Sequence, residues 1–213
     1  MKKLITIFLS LLLITTEYAQ NSNEAKAILD KAYANYEQSK GIKIEFSFYA
    51  IENNSTYMQQ KGTALVKGNK FKINTIDDET GFDGKTQWVL LKEFDEVNIS
   101  EPTMDEIASI SPLALLSMYK NGYTLNAPIS KTVNDSKVHS IKMTPTSSNS
   151  EFKDLEVLID KNSHNISEVN LTLKNGVKNK ISISSYNTNF NFTDSEFIFN
   201  HTKYSGVEII DLR

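Results

Sequence analysis

Short segments in which apolar and polar residues alternate recur along most of this chain, and they limit the fold more than any other feature. In residues 42–48, Ile or Phe at every even position alternates with Lys, Glu or Ser at every odd one. Successive side chains of a β-strand point to opposite faces, so this period of two predicts a half-buried strand. Further strands are predicted near 57–66, 70–76, 86–92, 96–100, 137–144, 152–160, 165–174, 177–187 and 196–200.

Two dipeptides between these segments are typical of β-hairpins. Asp83-Gly84 is predicted to supply positive φ at both centres of a two-residue turn, and Asn175-Gly176 gives a second hairpin signal. The strand that leaves the first turn runs Trp-Val-Leu-Leu over residues 88–91, so it is apolar at odd and even positions alike. It therefore lacks the polar face that the alternating strands have.

Helical spacing of apolar residues is confined to two segments. Residues 24–40 predict one helix, closed by Gly41. A second helix is predicted to open at Pro112 and to end before Gly122, because Pro suits a first helical turn and Gly a helix end. No repeat or linker divides the 213 residues, which suit one domain. The predicted fold class is α+β and mostly β.

The first 19 residues are predicted to be a secretory signal peptide, which leaves residues 20–213 as a single mature domain. A basic start, Met1-Lys2-Lys3, precedes an apolar run over 4–14 that is too short to span about 30 Å of hydrocarbon. Cleavage is expected after Ala19. The chain has no cysteine that could be lipidated at the cleavage site, so we expect a soluble protein of the periplasm.

Composition and motifs argue against several function classes. The net charge of −3 disfavours binding to duplex nucleic acid, which needs a basic face. The sequence contains no nucleophile elbow, metalloprotease motif or phosphate loop. The histidines His139, His164 and His201 lie in separate segments without the spacing of metal ligands. We expect no catalytic residue, metal or cofactor. An enzyme remains an alternative that one essential carboxylate or histidine would reveal.

Three segments carry a resemblance to a known family. FDGKTQWVLLKEFDEVNIS, residues 82–100, resembles the Asp-Gly-Lys-Thr-x-Trp hairpin of the LolA-type outer-membrane lipoprotein carrier proteins. SPLALL, residues 111–116, is similar to the helical insert that follows in that family. FIFNHTKYSGVEIID, residues 197–211, resembles its closing Phe-x-Phe, Gly-Val and Asp. Because the three segments occur in the family's order and spacing, the resemblance extends over about residues 24–211.

The resemblance implies an unclosed antiparallel β-barrel with helices covering an apolar concave face. It also implies a carrier that takes lipoproteins from an inner-membrane ABC-type release complex and brings their acyl chains to the outer membrane. The sequence does not identify the acceptor there, and we expect a monomer. A curved sheet with two apolar helices suits this role, because its inner face can hold a ligand. The predicted acyl-binding cavity consists of Phe46, Phe48, Phe71, Ile73, Trp88, Leu90, Leu113, Leu116 and Met118.

One stretch departs from the family. Members have an arginine beside a proline on an early strand, where it helps a helical lid close over the empty cavity. The matching stretch here is Lys67-Gly68-Asn69-Lys70, and Arg213 is the only arginine of the chain. Lysine cannot reproduce the planar fork of arginine. The alternative function is therefore an envelope module of the same fold that binds another lipid or a glycolipid.

Overall fold

The computed structural model describes residues 22–103, 106–107, 110–111, 119–188 and 190–213. Helix α1 spans 22–37, and residues 106, 107 and 110 are helical within the segment between the sixth and seventh strands, the helical insert. A one-turn 3₁₀ helix spans Asp194–Glu196. The strands are β1 Ile42–Glu52, β2 Ser55–Lys67, β3 Lys70–Thr75, β4 Asp78–Phe82, β5 Gln87–Leu91, β6 Glu96–Ser100, β7 Tyr123–Leu125, β8 Ile129–Val133, β9 Ser136–Pro145, β10 Phe152–Asp160, β11 Ile166–Leu173, β12 Lys178–Asn187 and β13 Glu208–Asp211.

Two predicted segments fall outside the described residues. They are the signal peptide, residues 1–19, and the larger part of the second helix, residues 112–118. No helix in the described part of the chain is both long and apolar enough to cross a membrane.

All thirteen strands belong to one sheet, in the order β13-β6-β5-β4-β3-β2-β1-β12-β11-β10-β9-β7, with β8 pairing β9 as well. Neighbouring strands are antiparallel, except that β13 runs parallel to β6. The strands at the two ends of this order do not pair with each other, so the sheet does not close. The predicted class, a mostly β fold built on an unclosed antiparallel sheet, is confirmed.

Cross-strand register decides which side chains share the inner face of the sheet. Ile44 of β1 lies opposite Ala64 of β2, and Ala64 lies opposite Ile73 of β3. The same row continues through Thr80 of β4 to Val89 of β5. Because successive side chains alternate between faces, the residues next to these in each strand point to the outer face.

The inner face carries most of the apolar core. Leu29 of helix α1 is fully buried in one cluster with Ile141 of β9 and Leu155 of β10. Near the end of the helical insert, the hydroxyl of Tyr119 donates a hydrogen bond to the carboxylate of Asp30. Helix α1 therefore both fills the inner face and holds the end of the insert.

The outer face of β5 and β6 is covered by the C-terminal segment, residues 190–207. Trp88 and Leu90 of β5 form a second buried cluster with Val97 and Ile99 of β6, and Phe199, Tyr204 and Val207 pack against it. The chain then forms β13, which pairs with the edge of β6. The edge of the sheet on this side is therefore β13, a strand of four residues, and such a short edge offers few groups for unwanted pairing.

Two local predictions are wrong for tertiary reasons. Residues 196–200 are not a strand, since the 3₁₀ helix ends there and the aromatic residues pack on the outer face. Helix α1 ends at residue 37, and Gly41 is not its cap. A Cβ at position 41 would lie 2.6 Å from Cδ2 of Phe192, so glycine is required there by the close approach of that ring.

The turn at Asp83-Gly84 also differs from its prediction. Only Gly84 has a positive φ, of 104°. The carboxylate of Asp83 instead accepts the backbone N–H groups of Lys85 and Thr86 at 3.0 and 2.8 Å. Asn175-Gly176 does join two paired strands, β11 and β12, as predicted. Positive φ at both centres occurs in the turns Asn53-Asn54 and Asn134-Asp135.

The contact between Gly81 and Trp88 gives a stability prediction. These residues are cross-strand partners, and a Cβ at position 81 would lie 2.2 Å from the indole Nε1. Gly81→Ala should therefore lower the free energy of unfolding by about 1–3 kcal/mol through overpacking, as measured by urea denaturation. In a Trp88→Leu background the smaller side chain makes room for the methyl group, and the same substitution should cost clearly less. Equal costs in the two backgrounds would contradict this contact.

Candidate functional site

An apolar cavity of about 310 Å³ lies between the inner face of the sheet and the helical insert. Its volume falls at the lower end of the range of small-molecule sites, roughly 300–1,000 Å³. The described apolar lining residues are Ile44, Phe46, Phe48, Ala64, Val66, Ile73, Val89, Ile110 and Ile181, and the polar ones are Gln60, Thr75, Asp78, Thr80, Gln87 and Ser111.

The position of the cavity follows from what covers each part of the sheet. The described lining residues come from β1–β5, β12 and the insert, whereas α1 packs with β9 and β10 in the closed core. Phe46 and Phe48 stay partly exposed although they point inward. Part of the inner face therefore carries apolar side chains that no helix in the described part of the chain fully covers.

A glycine beside Phe46 shapes the cavity wall. Gly62 of β2 lies opposite Phe46, and a Cβ at position 62 would lie 2.7 Å from Cζ of that ring. The ring therefore lies close against the neighbouring strand. Any larger residue at position 62 would push Phe46 away from the sheet and toward the cavity.

The polar residues Gln60, Thr75 and Asp78 line one end of the cavity. This end carries the turns that join β1 to β2, β3 to β4 and β5 to β6. At the opposite end the chain enters β1 from α1 and leaves β6 for the insert. The insert then runs to the end with Asp78, because β7 begins there, with Tyr123 opposite Pro145 at the last residue of β9.

Asp78 has an unusual environment for a carboxylate at the start of a strand. Burial beside the apolar wall raises the pKa of Asp78 above its ordinary value, and the negative charge of Asp77 acts in the same direction. The Thr75 hydroxyl and the positive charge of Lys92 oppose this effect without cancelling it. The ionised form of Asp78 is thus less well stabilised than that of an ordinary surface carboxylate.

The nine residues predicted to form one acyl-binding cavity do not all line the same space in the structure. Phe46, Phe48 and Ile73 line it. Phe71 points the same way but packs in the closed core against Phe82, with ring centroids 5.4 Å apart. Trp88 and Leu90 lie on the outer face and are not part of the cavity. The predicted lid residues Leu113, Leu116 and Met118 lie outside the described residues. An acyl-binding role for the inner-face residues stays a prediction.

Trp88 fails as a cavity residue because the register of β5 turns it outward. Its indole N–H donates a 2.9 Å hydrogen bond to the backbone carbonyl of Phe197. The rings of Phe199 and Tyr204 lie with their centroids 5.7 Å from the indole. The residue between Trp88 and Leu90, Val89, is the one that lines the cavity. Val89 can be recognised as a lining residue from its pairing with Thr80 of the inner face. That pairing is known only once the register of β4 and β5 is known.

A partly buried ion-pair network holds the C-terminal segment beside Trp88. The carboxylate of Glu79 lies 2.8 Å from the ammonium of Lys72 and 3.4 Å from that of Lys203. Burial raises the pKa of Glu79, but the hydrogen bonds from Lys72 and Tyr204 and the charges of both lysines outweigh it and hold the pKa below its ordinary value of 4.5. The charged form of Glu79 therefore stabilises the folded protein.

The walls of the cavity are mainly apolar. No group of three or more His, Asp or Glu residues within the described ranges could hold a metal ion. Mainly apolar walls with a few polar groups, among them Gln60, Thr75 and Asp78 at one end, suit an amphiphile.

Two exposed apolar residues lie on turns at the end of the sheet where Asp78 is found. Ile76, between β3 and β4, is 81% exposed, and Phe94, between β5 and β6, is 68% exposed. The backbone N–H of Lys92 donates to the carbonyl of Asp77 at 3.0 Å, which links the two turns. We call Ile76 and Phe94 the apolar rim.

Sequence comparison identifies one matching family. Residues 15–176, more than half of the chain, match the sequence model of the family described as outer membrane lipoprotein carrier protein LolA. No curated protein matches the chain.

Several solved structures share the architecture at low sequence identity. An uncharacterized conserved protein from Thermus thermophilus is 11% identical with a TM-score of 0.59, over 88% of this chain and 99% of that chain. A DUF1329 family protein from Desulfovibrio piger is 11% identical with a TM-score of 0.50, over 85% and 99%. A LolA superfamily protein from Nitrosomonas europaea is 10% identical with a TM-score of 0.47, over 82% and 97%. The first two similarities show the fold alone.

The network at Glu79 gives a pH prediction that Trp88 can report. A carboxylate with a lowered folded pKa contributes stability above its unfolded pKa and loses it as the pH falls through the folded pKa. The C-terminal segment should therefore loosen in acid below the ordinary value of 4.5, and the emission of Trp88 should shift to the red. Glu79→Gln should show a weaker pH dependence, whereas the exposed Glu93→Gln should behave as the parent. Identical acid transitions in all three proteins would contradict the role of Glu79.

Proposed function

The chain belongs to the LolA family of outer membrane lipoprotein carrier proteins, and from this we propose that it binds the acyl chains of lipoproteins in its cavity and carries them from the inner to the outer membrane. The observation that supports this most is the partly covered apolar cavity on the inner face. The proposed site consists of Phe46, Phe48 and Ile73 with Ile44 and Val89.

The energetics of lipid transfer explain why such a cavity is needed. An acyl chain of about sixteen carbons, at roughly 0.8 kcal/mol per CH₂, would cost on the order of 12 kcal/mol in water. A carrier has to cover this hydrocarbon and yet release it. A cavity whose phenylalanine side chains are only partly covered without ligand suits both needs, since the ligand completes the packing.

The rest of the proposed route follows from the sequence and the family. The mature protein, residues 20–213, acts in the periplasm as a single carrier domain and a monomer after its signal peptide has been removed. It receives lipoproteins from an inner-membrane ABC-type release complex, and Leu113, Leu116 and Met118 belong to the lid. It has no catalytic activity in this scheme.

One observation favours the second candidate, a lipid- or glycolipid-binding module. Lys67 and Lys70, in the stretch that matches the family's arginine, form ion pairs with Asp194 of the C-terminal segment on the outer face. They are therefore not available to the cavity. Depletion in the native organism separates the two functions: a lipoprotein carrier predicts lipoproteins accumulating in the inner membrane, and a lipid module predicts normal lipoprotein sorting.

Acyl binding can be tested with two adjacent aromatic residues of β1, because their side chains point to opposite faces of the sheet. Phe48 lines the cavity, and Tyr49 points to the outer face. Phe48→Glu would place an unpaired charge against the bound hydrocarbon, so it should weaken binding of a dipalmitoyl lipopeptide at least about tenfold, since burying such a charge is costly. Isothermal titration measures the affinity, and urea denaturation checks that the variant folds.

The matched control is Tyr49→Glu, which makes a similar change on the other face of the same strand. It should bind the lipopeptide as the parent does. Equal affinities for both variants, or equal losses, would show that the inner face is not the acyl site.

The apolar rim gives a separate prediction about transfer. Replacing Ile76 and Phe94 together by Ser removes exposed apolar area near the polar end of the cavity but changes no lining residue. We expect slower movement of a fluorescent lipopeptide between vesicles, with an unchanged equilibrium affinity, because the rim would contact the membrane during transfer. A variant that transfers at the parent rate would exclude a role for the rim.

A further inference from the structure

The polar end of the cavity places a carboxylate next to hydrocarbon. Asp78 is the first residue of β4 and faces inward, as do Gln60 of β2 and Thr75 of β3. A ligand whose chain fills the apolar walls would have its polar head beside these three residues, because Asp78 is the charged lining residue of the cavity in the described part of the chain.

The groups at this end mainly accept hydrogen bonds. The side-chain amide nitrogen of Gln60 donates to the carboxylate of Asp77. The side-chain carbonyl oxygen of Gln60 is then left to accept from other partners. The Thr75 hydroxyl accepts the backbone N–H groups of Asp77 and Asp78 at 3.2 and 3.1 Å, and its own proton is donated to the backbone carbonyl of Asp78 at 3.4 Å. The Asp78 carboxylate accepts only. A ligand head that donates hydrogen bonds is therefore complementary to this end.

Charge also distinguishes Asp78 from its neighbours. None of the ion pairs between residues that the structure describes includes Asp78. The nearby ammonium of Lys92 instead donates to the side chain of Asn74 at 2.8 Å and to the carbonyl of Thr75. Glu79, the next residue of β4, has two lysine partners on the outer face. A half-buried carboxylate without an ion pair favours a cationic ligand.

We propose that Asp78 recognises a protonated amine held next to long acyl chains, so that the cavity selects amphiphiles with an ammonium head. This inference rests on the proposed function, since it assumes that acyl chains fill the cavity. The ammonium would donate to the Asp78 carboxylate and the Gln60 carbonyl. Two kinds of ligand have this chemistry: the free amino terminus of a diacylated lipopeptide and the head group of an amino lipid.

The test uses ligand pairs that differ only in the amine. The first pair is a dipalmitoyl lipopeptide with a free amino terminus and the same lipopeptide N-acetylated. The second pair is a soluble phosphatidylethanolamine with short chains and its N-acetylated form. Affinities for all four are measured by isothermal titration with the full mature protein, with Asp78→Asn and with Glu93→Gln. The last variant removes an exposed carboxylate at the same end of the sheet.

We expect the parent and Glu93→Gln to bind the amine form of at least one pair about tenfold more tightly than the acetylated form. In Asp78→Asn this ratio should fall to about one, with the affinity for the acetylated form retained. Discrimination within the lipopeptide pair identifies the amino terminus of lipoproteins as the ligand, and discrimination within the phospholipid pair identifies an amino lipid.

Two further outcomes separate the failure of this inference from that of the proposed function. Tight binding without discrimination in the parent, or a ratio that survives in Asp78→Asn, would overturn the role of Asp78 and leave acyl binding standing. No saturable binding of any of the four ligands would overturn both. Urea denaturation of Asp78→Asn shows whether any loss of affinity comes from misfolding.

Discussion

A sheet that keeps a cavity on its inner face must gain its stability from other surfaces, because atoms that line unfilled space lose contacts on that side. In this protein the outer face of β4 to β6 supplies that packing. Trp88 lies against Gly81, its N–H is bound to the carbonyl of Phe197, and the C-terminal segment covers it. The same strands can therefore present Thr80 and Val89 to the cavity on their other side.

This arrangement explains why the strand after the Asp83-Gly84 turn is apolar at every position. Trp88 and Leu90 are buried under the C-terminal segment, and Val89 lines the cavity. The sequence shows that both faces of β5 are apolar, but it cannot show which face is the inner one. Only the pairing with β4 decides this, since a shift by one residue exchanges the two faces. For β1 the alternation of apolar and polar residues was enough to identify the inner face, because the other face is mainly polar.

Nine of the thirteen described strands and the family were accessible from the sequence, because they depend on local alternation and on motifs in a fixed order. The short strands β4, β7, β8 and β13 were not predicted. The C-terminal segment was not. Phe197 and Phe199 have the spacing of a strand, yet they lie in an irregular segment. There the carbonyl of Phe197 accepts the indole N–H of Trp88 and the ring of Phe199 packs on the indole. Gly41 looked like a helix cap and is instead a site of close approach by Phe192. In each case a contact between residues far apart in the chain decides the conformation, and local patterns do not encode such contacts.

The lysines near residue 67 show how a common fold can be held differently. Lys67 donates to the carbonyl of Phe192 at 2.8 Å and pairs with Asp194 at 3.2 Å, and Lys70 pairs with the same carboxylate at 2.8 Å. This positive charge therefore fixes the C-terminal segment and does not reach the cavity, whose charged lining residue in the described part of the chain is Asp78. The insert is meanwhile tied to α1 through Tyr119 and Asp30. The lysines thus hold the C-terminal segment on the outer face, while the carboxylate of Asp78 lies on the cavity wall inside.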